Sequence, residues 1–446
     1  MAYIPATPAD RAAMLATVGV DDVEALFASI PATLRLDRPL DLPDALGEIE
    51  LRRHVTGLAA TNRGARLTCF AGAGAYDHHC PAAIDAIADR GEFLTAYTPY
   101  QPEVSQGTLA VIFEFQTFIA RLTGLDVANA GLYDGASACA EACLMALRAA
   151  KRRTKLVFAG AIHPDALAVV QTYLAGQEVE IVSVPLAEIP DAVDDRTAAV
   201  LVQYPDFEGR CLDLAGWPEA IHDRGAYLIA SCDPVALALL KPPGAWGCDI
   251  AVGEAQGLGT PLSFGGPYLG YLACTQKLVR QVPGRLVGKT VDRRGNPGFV
   301  LTLQAREQHI KRERATSNIC TNQSLLVLRA TLYLALLGPR GLAQVAAASH
   351  HGAERLRMAL TQLGGVSAPD DGPHFKEFVL QLPMSAERFC AAMAEHGILA
   401  GVPLGRWERS RPNDLLVCVT ERRTEADLEA YVTAAWEVLA SPGARD

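Results

Sequence analysis

The stretch VGEAQGLGTPLSFGGP, residues 252–267, follows an apolar run and carries two glycine-rich turns, a layout that sets a reactive side chain at the end of a strand. It contains no lysine, cysteine or histidine, and its hydroxyls are those of Thr260 and Ser263. The chain has seven lysines, Lys151, Lys155, Lys241, Lys277, Lys289, Lys311 and Lys376, and none stands at the tip of DIAVGEAQ. An amine there could form an imine with a carbonyl cofactor. The loop has the shape for that chemistry and lacks the group.

Two other places suit a charged cofactor. In YDGASACAEAC, Gly135, Ala136 and Ser137 open a helix behind Asp134, a candidate N-cap. Free N–H groups at such a start attract an anion, although Asp134 would repel one unless it pointed away. LIASCDPVAL ends a strand pattern in Asp233, a carboxylate that could hold a protonated heterocycle or could equally be a turn residue.

The densest polar segment, AYTPYQPEVSQG, groups Tyr97, Tyr100, Gln101, Glu103, Ser105 and Gln106 on a backbone fixed by prolines. Ser105 is placed to cap the helix that follows, whose apolar positions Leu109, Ile112, Phe113, Ile119 and Leu122 keep a helical period until Gly124. The pattern fits a capped helix behind a polar loop, or a site wall of aromatic and amide groups. YDHHCP offers adjacent His78 and His79, which cannot both face one point on a regular element and make a poor metal site. REQHIKRERATSNICTNQ carries basic residues before a polar knot that includes Thr316, Ser317 and Asn318; it reads as a solvated helix face, or as a cleft wall for carboxylates. PGRLVGKT is one residue short of a phosphate loop and is rejected as one.

The elements that must position these groups form three regions. Residues 1–60 show two short helical patterns around a proline-rich connector, an arm expected to pack on something else. Within residues 61–335, KLVFAG, VEIVSVP, AAVLVQYP, AYLIASCD, CDIAVGEA and GYLACT alternate with helical patterns, and several are apolar on both faces. That predicts a doubly wound α/β domain on a parallel sheet. Residues 336–446 predict a smaller α+β domain with strands at EFVLQLP and DLLVCVT, and clefts between domains are favoured ligand sites.

The formal charge of −10 argues against a nucleic-acid partner. No basic stretch followed by an apolar core opens the chain, so no secretory signal is expected. SLLVLRATLYLALLG is interrupted by Arg329 and reads as a buried helix, too short for a membrane span. The eleven cysteines are scattered without zinc spacing, as small buried residues of a reducing cytoplasm would be.

AYTPYQPEVSQGTLAVIFEFQTFIARLTGLDVANAGLYDGASACAEACLMALR, GLGTPLSFGGPYLGYLA and REQHIKRERATSNICTNQ together closely resemble the P-protein family of the glycine cleavage system, glycine dehydrogenase (decarboxylating). The likeness is closest to subunit 1, the N-terminal half of P-proteins that are split into two chains. It implies a fold-type I pyridoxal-phosphate-dependent transferase architecture, with the cofactor held by subunit 2 and none bound covalently here. Anchoring the family's lysine loop on Pro261 and on Gly265, Gly266 and Pro267 puts Gln256 opposite the missing lysine, or Gly257 if the register slips by one. The resemblance also implies an α2β2 assembly with subunit 2. In that assembly glycine is decarboxylated and its aminomethyl group passes to the lipoyl arm of the H-protein. Tyr97, Tyr100, Gln101, Glu103 and Ser105 are expected to line a site shared with the partner, with His78, His79, Thr316, Ser317 and Asn318 as second choices. The alternative is a scaffold that stabilises subunit 2 or recruits the H-protein without touching the chemistry.

Overall fold

The computed structural model describes residues 6–441, so the outer ends of the expected first and last domains, residues 1–5 and 442–446, lie outside it. Contacts divide the chain into two units, Met1–Arg63 and Gly64–Asp446.

In the first unit, helix α1 (Pro8–Val18) opens with a capping box between Thr7 and Asp10 and ends at Gly19 in the left-handed region. Helix α2 (Glu48–Ala60) follows the proline-rich connector. Neither helix has a buried residue, and Val18, Leu34, Leu42, Ile49 and Leu58 are all exposed. Among its described residues this unit has no core of its own.

The second unit is organised by a seven-stranded sheet. Its strands are β2 (Val127–Ala128), β3 (Lys155–Ala159), β4 (Glu180–Val184), β5 (Thr197–Tyr204), β6 (Tyr227–Cys232), β7 (Ile250–Glu254) and β8 (Gly270–Cys274), preceded in the chain by a short β1 (Thr68–Cys69). The sheet order is β2-β8-β7-β6-β5-β3-β4. All six expected strands are present, and β3 and β8 are buried along their whole length, as apolar runs on both faces require. The sheet is mixed rather than parallel: β8 runs antiparallel to both β7 and β2. Residues 255–269, which join β7 to β8, carry no crossover helix, so the chain turns back instead of crossing over.

The helices that matter for the site are α3 (Ala82–Ala88), α4 (Gly91–Leu94), α5 (Gln106–Thr123) and α6 (Gly135–Ala150). Gly124 ends α5 at φ 67°. Ser105 occupies the N-cap position of α5 but its side chain makes no capping bond, which corrects the expected cap. Gln106 instead ties the start of the helix to its neighbours: its amide donates to Pro102 O and Phe299 O at 2.8 Å while its Oε1 accepts from Phe299 N–H at 2.9 Å. The rejected phosphate loop is the first strand of a hairpin, β9 (Leu286–Val291) and β10 (Pro297–Thr302).

The two helical patterns around Gly338 are one helix, Ser324–Leu360, kinked where Gly338 takes φ 60° before Pro339. This helix is long and apolar enough to cross a bilayer, contrary to the shorter span expected. Its residues Leu326, Val327, Leu328, Ala330, Tyr333 and Leu334 are nevertheless buried in this unit. Beyond it lie β11 (Glu377–Gln381), β12 (Ile398–Leu399), β13 (Val402–Pro403) and β14 (Asp414–Cys418); β11, β14 and β13 make an antiparallel sheet, and β12 pairs with β1.

Candidate functional site

A cavity of about 340 Å³ opens at the carboxyl edge of the large sheet, where α/β folds place their ligands. Asp233 just past β6, Glu254 at the end of β7, Gly135 at the start of α6 and Lys376 just before β11 all line it.

Lys376 was not singled out by sequence, and it is the centre of the cavity's electrostatics. The residue is 2% exposed, its Nζ lies 2.6 Å from Asp233 Oδ2 and 3.0 Å from His78 Nε2, and it sits 3.3 Å from the centroid of the Tyr76 ring. Burial pushes the Asp233 carboxyl up, but the ammonium of Lys376, aided by the Val235 N–H, outweighs it and holds the group below its ordinary value. Burial, then Lys376, pushes the His78 imidazole down, leaving it neutral. His78 therefore accepts from Lys376 at Nε2 and donates from Nδ1 to Glu421 at 2.6 Å. Next to Lys376, Glu377 accepts from Ala73 N–H and from the Tyr76 hydroxyl, both at 2.7 Å.

Gln256 is 1% exposed and has every polar atom engaged: Oε1 accepts from Tyr76 N–H at 2.8 Å, and Nε2 donates to Tyr76 O at 3.0 Å and Thr260 O at 2.7 Å. Glu254 Oε2 accepts from Gly135 N–H at 2.8 Å, and its Oε1 accepts from Gln256 N–H at 2.9 Å and Leu269 N–H at 3.0 Å. Burial pushes Glu254 up to about 7 against the pull of these three donors. Asp134 is the N-cap of α6, accepting from Ser137 N–H at 2.7 Å.

The segment 71–80 closes one side of the cavity and needs its glycines. Gly74 has φ 98°, and a Cβ on Gly72 would fall 2.3 Å from Glu377 Oε1.

The sequence-predicted residues fall into separate groups. His78 belongs to the cavity network, while its neighbour His79 is exposed and uses its N–H on Glu421 at 2.6 Å. Tyr97 is 75% exposed, and Tyr100, Gln101 and Glu103 are exposed on the turn between α4 and α5; Ser105 is half-buried. Tyr100 is joined to the polar knot through Arg285, a buried residue the sequence reading missed. Arg285 bonds the Tyr100 hydroxyl at 3.4 Å, Cys320 O, and Asn322 Oδ1 at 3.5 Å, and the Tyr100 ring meets His309 edge-on at 5.8 Å. Within the knot, Ser317 Oγ donates to Glu141 at 2.8 Å, Thr316 N–H bonds Arg306 O at 3.1 Å, and Asn318 O accepts from Gln308 at 2.9 Å. Among the described residues no group of histidine, cysteine and carboxylate side chains is arranged to hold a metal.

Pyridoxal phosphate does not fit these residues. It needs an amine for its aldehyde, a carboxylate for its ring nitrogen and free donors for its phosphate. Here the loop past β7 carries no lysine, Lys376 already pairs with Asp233, and two carboxylates occupy the first turn of α6.

Comparison with known proteins agrees with the architecture. Residues 1–434 match the family model described as glycine cleavage system P-protein. A protein of Desulforamulus reducens named "Probable glycine dehydrogenase (decarboxylating) subunit 1" is 48% identical over 437 residues, covering 96% of this chain and 98% of its own. A crystal structure of glycine decarboxylase (P-protein) of the glycine cleavage system, in inhibitor-bound form, superposes with a TM-score of 0.88 at 45% identity, covering 98% of this chain and all of that one. The sphingosine-1-phosphate lyase of Burkholderia pseudomallei superposes at 0.65 with 15% identity over 93% and 95% of the two chains, a likeness of fold alone.

Proposed function

The chain belongs to the glycine cleavage system P-protein family, and we propose that it works as the subunit without a cofactor-binding lysine in a two-chain glycine decarboxylase of the cytoplasm. The partner, subunit 2, holds the pyridoxal phosphate, in an α2β2 assembly, and the lipoylated H-protein receives the aminomethyl group. The observation that carries this reading is the state of Gln256: the position where the family keeps its amine is buried and fully hydrogen-bonded to the chain's own backbone.

On this reading Tyr97, Tyr100, Gln101 and Glu103 complete the partner's site. They stand exposed on a turn that Gln106 pins to β10, so their backbone is fixed before a partner arrives. Their work is to orient glycine and exclude water, which can govern rate without any covalent step. Tyr100 is backed by Arg285, whose guanidinium lies 5.6 Å from its ring centroid. Ser105, His79 and the 316–318 knot are assigned to the periphery of the same face.

The scaffold reading draws its support from the first unit, whose helices leave apolar side chains exposed and are proposed to pack on subunit 2. One experiment separates the two. Glycine–bicarbonate exchange is measured for the chain alone, for subunit 2 alone and for the complex, with wild-type chain and with Tyr97→Phe or Glu103→Gln. Activity only in the complex, reduced by either substitution while assembly is unchanged, supports a shared site; unchanged turnover leaves a scaffold.

A further inference from the structure

We propose that the cavity at the sheet edge is internally satisfied: Lys376, Glu254 and Gln256 take up the positions at which this fold would hold a pyridoxal phosphate, and from two of them Lys376 and Gln256 fasten segment 71–80. This rests on the reading that the chain carries no cofactor of its own, and goes beyond it by giving the cavity's residues a different task.

Two of the positions are filled by groups of matching charge and the third by a neutral amide. Asp233, at the end of β6, is where a protonated ring nitrogen would pair, and it receives the Lys376 ammonium at 2.6 Å. The first turn of α6 is where a phosphate would dock, and its donors go to carboxylates: Gly135 N–H to Glu254 and Ser137 N–H to Asp134. Past β7, where an amine would stand, the Gln256 amide grips both the N–H and the C=O of Tyr76. Two of the three positions are also linked directly, because Glu254 Oε1 accepts the Gln256 N–H.

These bonds converge on one segment. Tyr76 is held by Gln256 through its backbone, by Glu377 through its hydroxyl and by Lys376 against its ring. His78 is held between Lys376 and Glu421, and Ala73 N–H is taken by Glu377. A segment with glycines at 72 and 74 has little rigidity of its own, so these contacts supply it. Gln256 is here turned toward the backbone of Tyr76, and Lys376 toward the side chains of Tyr76 and His78.

The test uses the full chain, alone and in complex with subunit 2. Wild type, Gln256→Lys and the triple variant Gln256→Lys/Glu254→Ala/Lys376→Met are incubated with pyridoxal 5′-phosphate and reduced with borohydride, and pyridoxyl-lysine is located by peptide mass spectrometry. The expected result is no labelling of the cavity in wild type, almost none with Gln256→Lys alone, and about tenfold more at position 256 in the triple variant. Stoichiometric labelling at position 256 with Gln256→Lys alone would overturn the proposal, since the other two positions would then be open. Labelling of wild type at Lys376 or any other cavity lysine would instead defeat the cofactor-free reading on which it rests. A second measurement holds even if the triple variant fails to fold. Gln256→Met, close in size but without the amide, should raise amide hydrogen exchange in 71–80 about tenfold while β5 is unchanged. Equal exchange in 71–80 would mean that Gln256 fastens nothing.

Discussion

The cavity at the sheet edge and the turn around Tyr97–Glu103 are equally rich in polar and aromatic groups, but they dispose of them in opposite ways. In the cavity the charges meet one another: Lys376 faces Asp233, His78 faces Glu421, and Gln256 is spent on Tyr76. On the turn the same kinds of group face outward, with Tyr97 75% and Tyr100 48% exposed, above a backbone that Gln106 ties to β10. A polar cluster whose partners all lie within the chain is structure. One held rigid but left open is an offer to another molecule.

Breaking the cavity's central pair gives the largest expected effect on stability. Lys376→Met strands a nearly buried carboxylate and should cost about 3–5 kcal/mol in denaturant unfolding of the full chain. Adding Asp233→Asn should recover much of that loss; no recovery would mean the two residues do not act as a pair.

Glu254 gives the next effect, and it is read in pH. Its folded value of about 7 lies above the ordinary 4.5, so its contribution to stability is fully present below pH 4.5 and is lost as pH rises through 7. Over that window wild type should lose at most about 3 kcal/mol relative to Glu254→Gln, whose pH profile should be flatter. Parallel profiles would show that the carboxyl does not titrate in this range.

On the exposed side the effect belongs to turnover. Tyr97→Ala or Glu103→Gln should lower glycine–bicarbonate exchange by the complex about 100-fold, with the unfolding midpoint of the chain unchanged. A fall in stability instead of activity would erase the contrast between the two regions. The smallest effect compares two helix starts. Asp134→Ala removes a real cap and should cost about 1 kcal/mol, whereas Ser105→Ala should cost under about 0.5 kcal/mol because no capping bond exists to lose.

What could be read from the sequence follows the range of the physics involved. Strands β3 and β5 to β8 announced themselves because burial on both faces leaves a local apolar run, and Asp134 and Gly124 because caps are local. The direction of β8 was hidden because it depends on the missing crossover helix rather than on the strand's own residues. Gln256 was flagged by the absence of a lysine, but its bond to Tyr76 spans 180 residues and left no pattern. Lys376 was one of seven lysines, in HFKEFVLQ, where a charge before a buried strand looks like an ordinary strand boundary. Only the fold brings it to Asp233. Arg285 was missed for the same reason, since its partners come from Tyr100 and from the 320–322 knot.

The ion pair between Lys376 and Asp233 and the carboxylates at the start of α6 also bear on the lineage of such a chain. A gene copy that has lost its lysine alone can regain it by one codon change. Once the vacated positions have been refilled with opposite charges, that single reversion meets an occupied pocket and confers no advantage for selection to keep. Each replacement that tightened the fold removed a route back, so dependence on a second gene product becomes heritable and one-way.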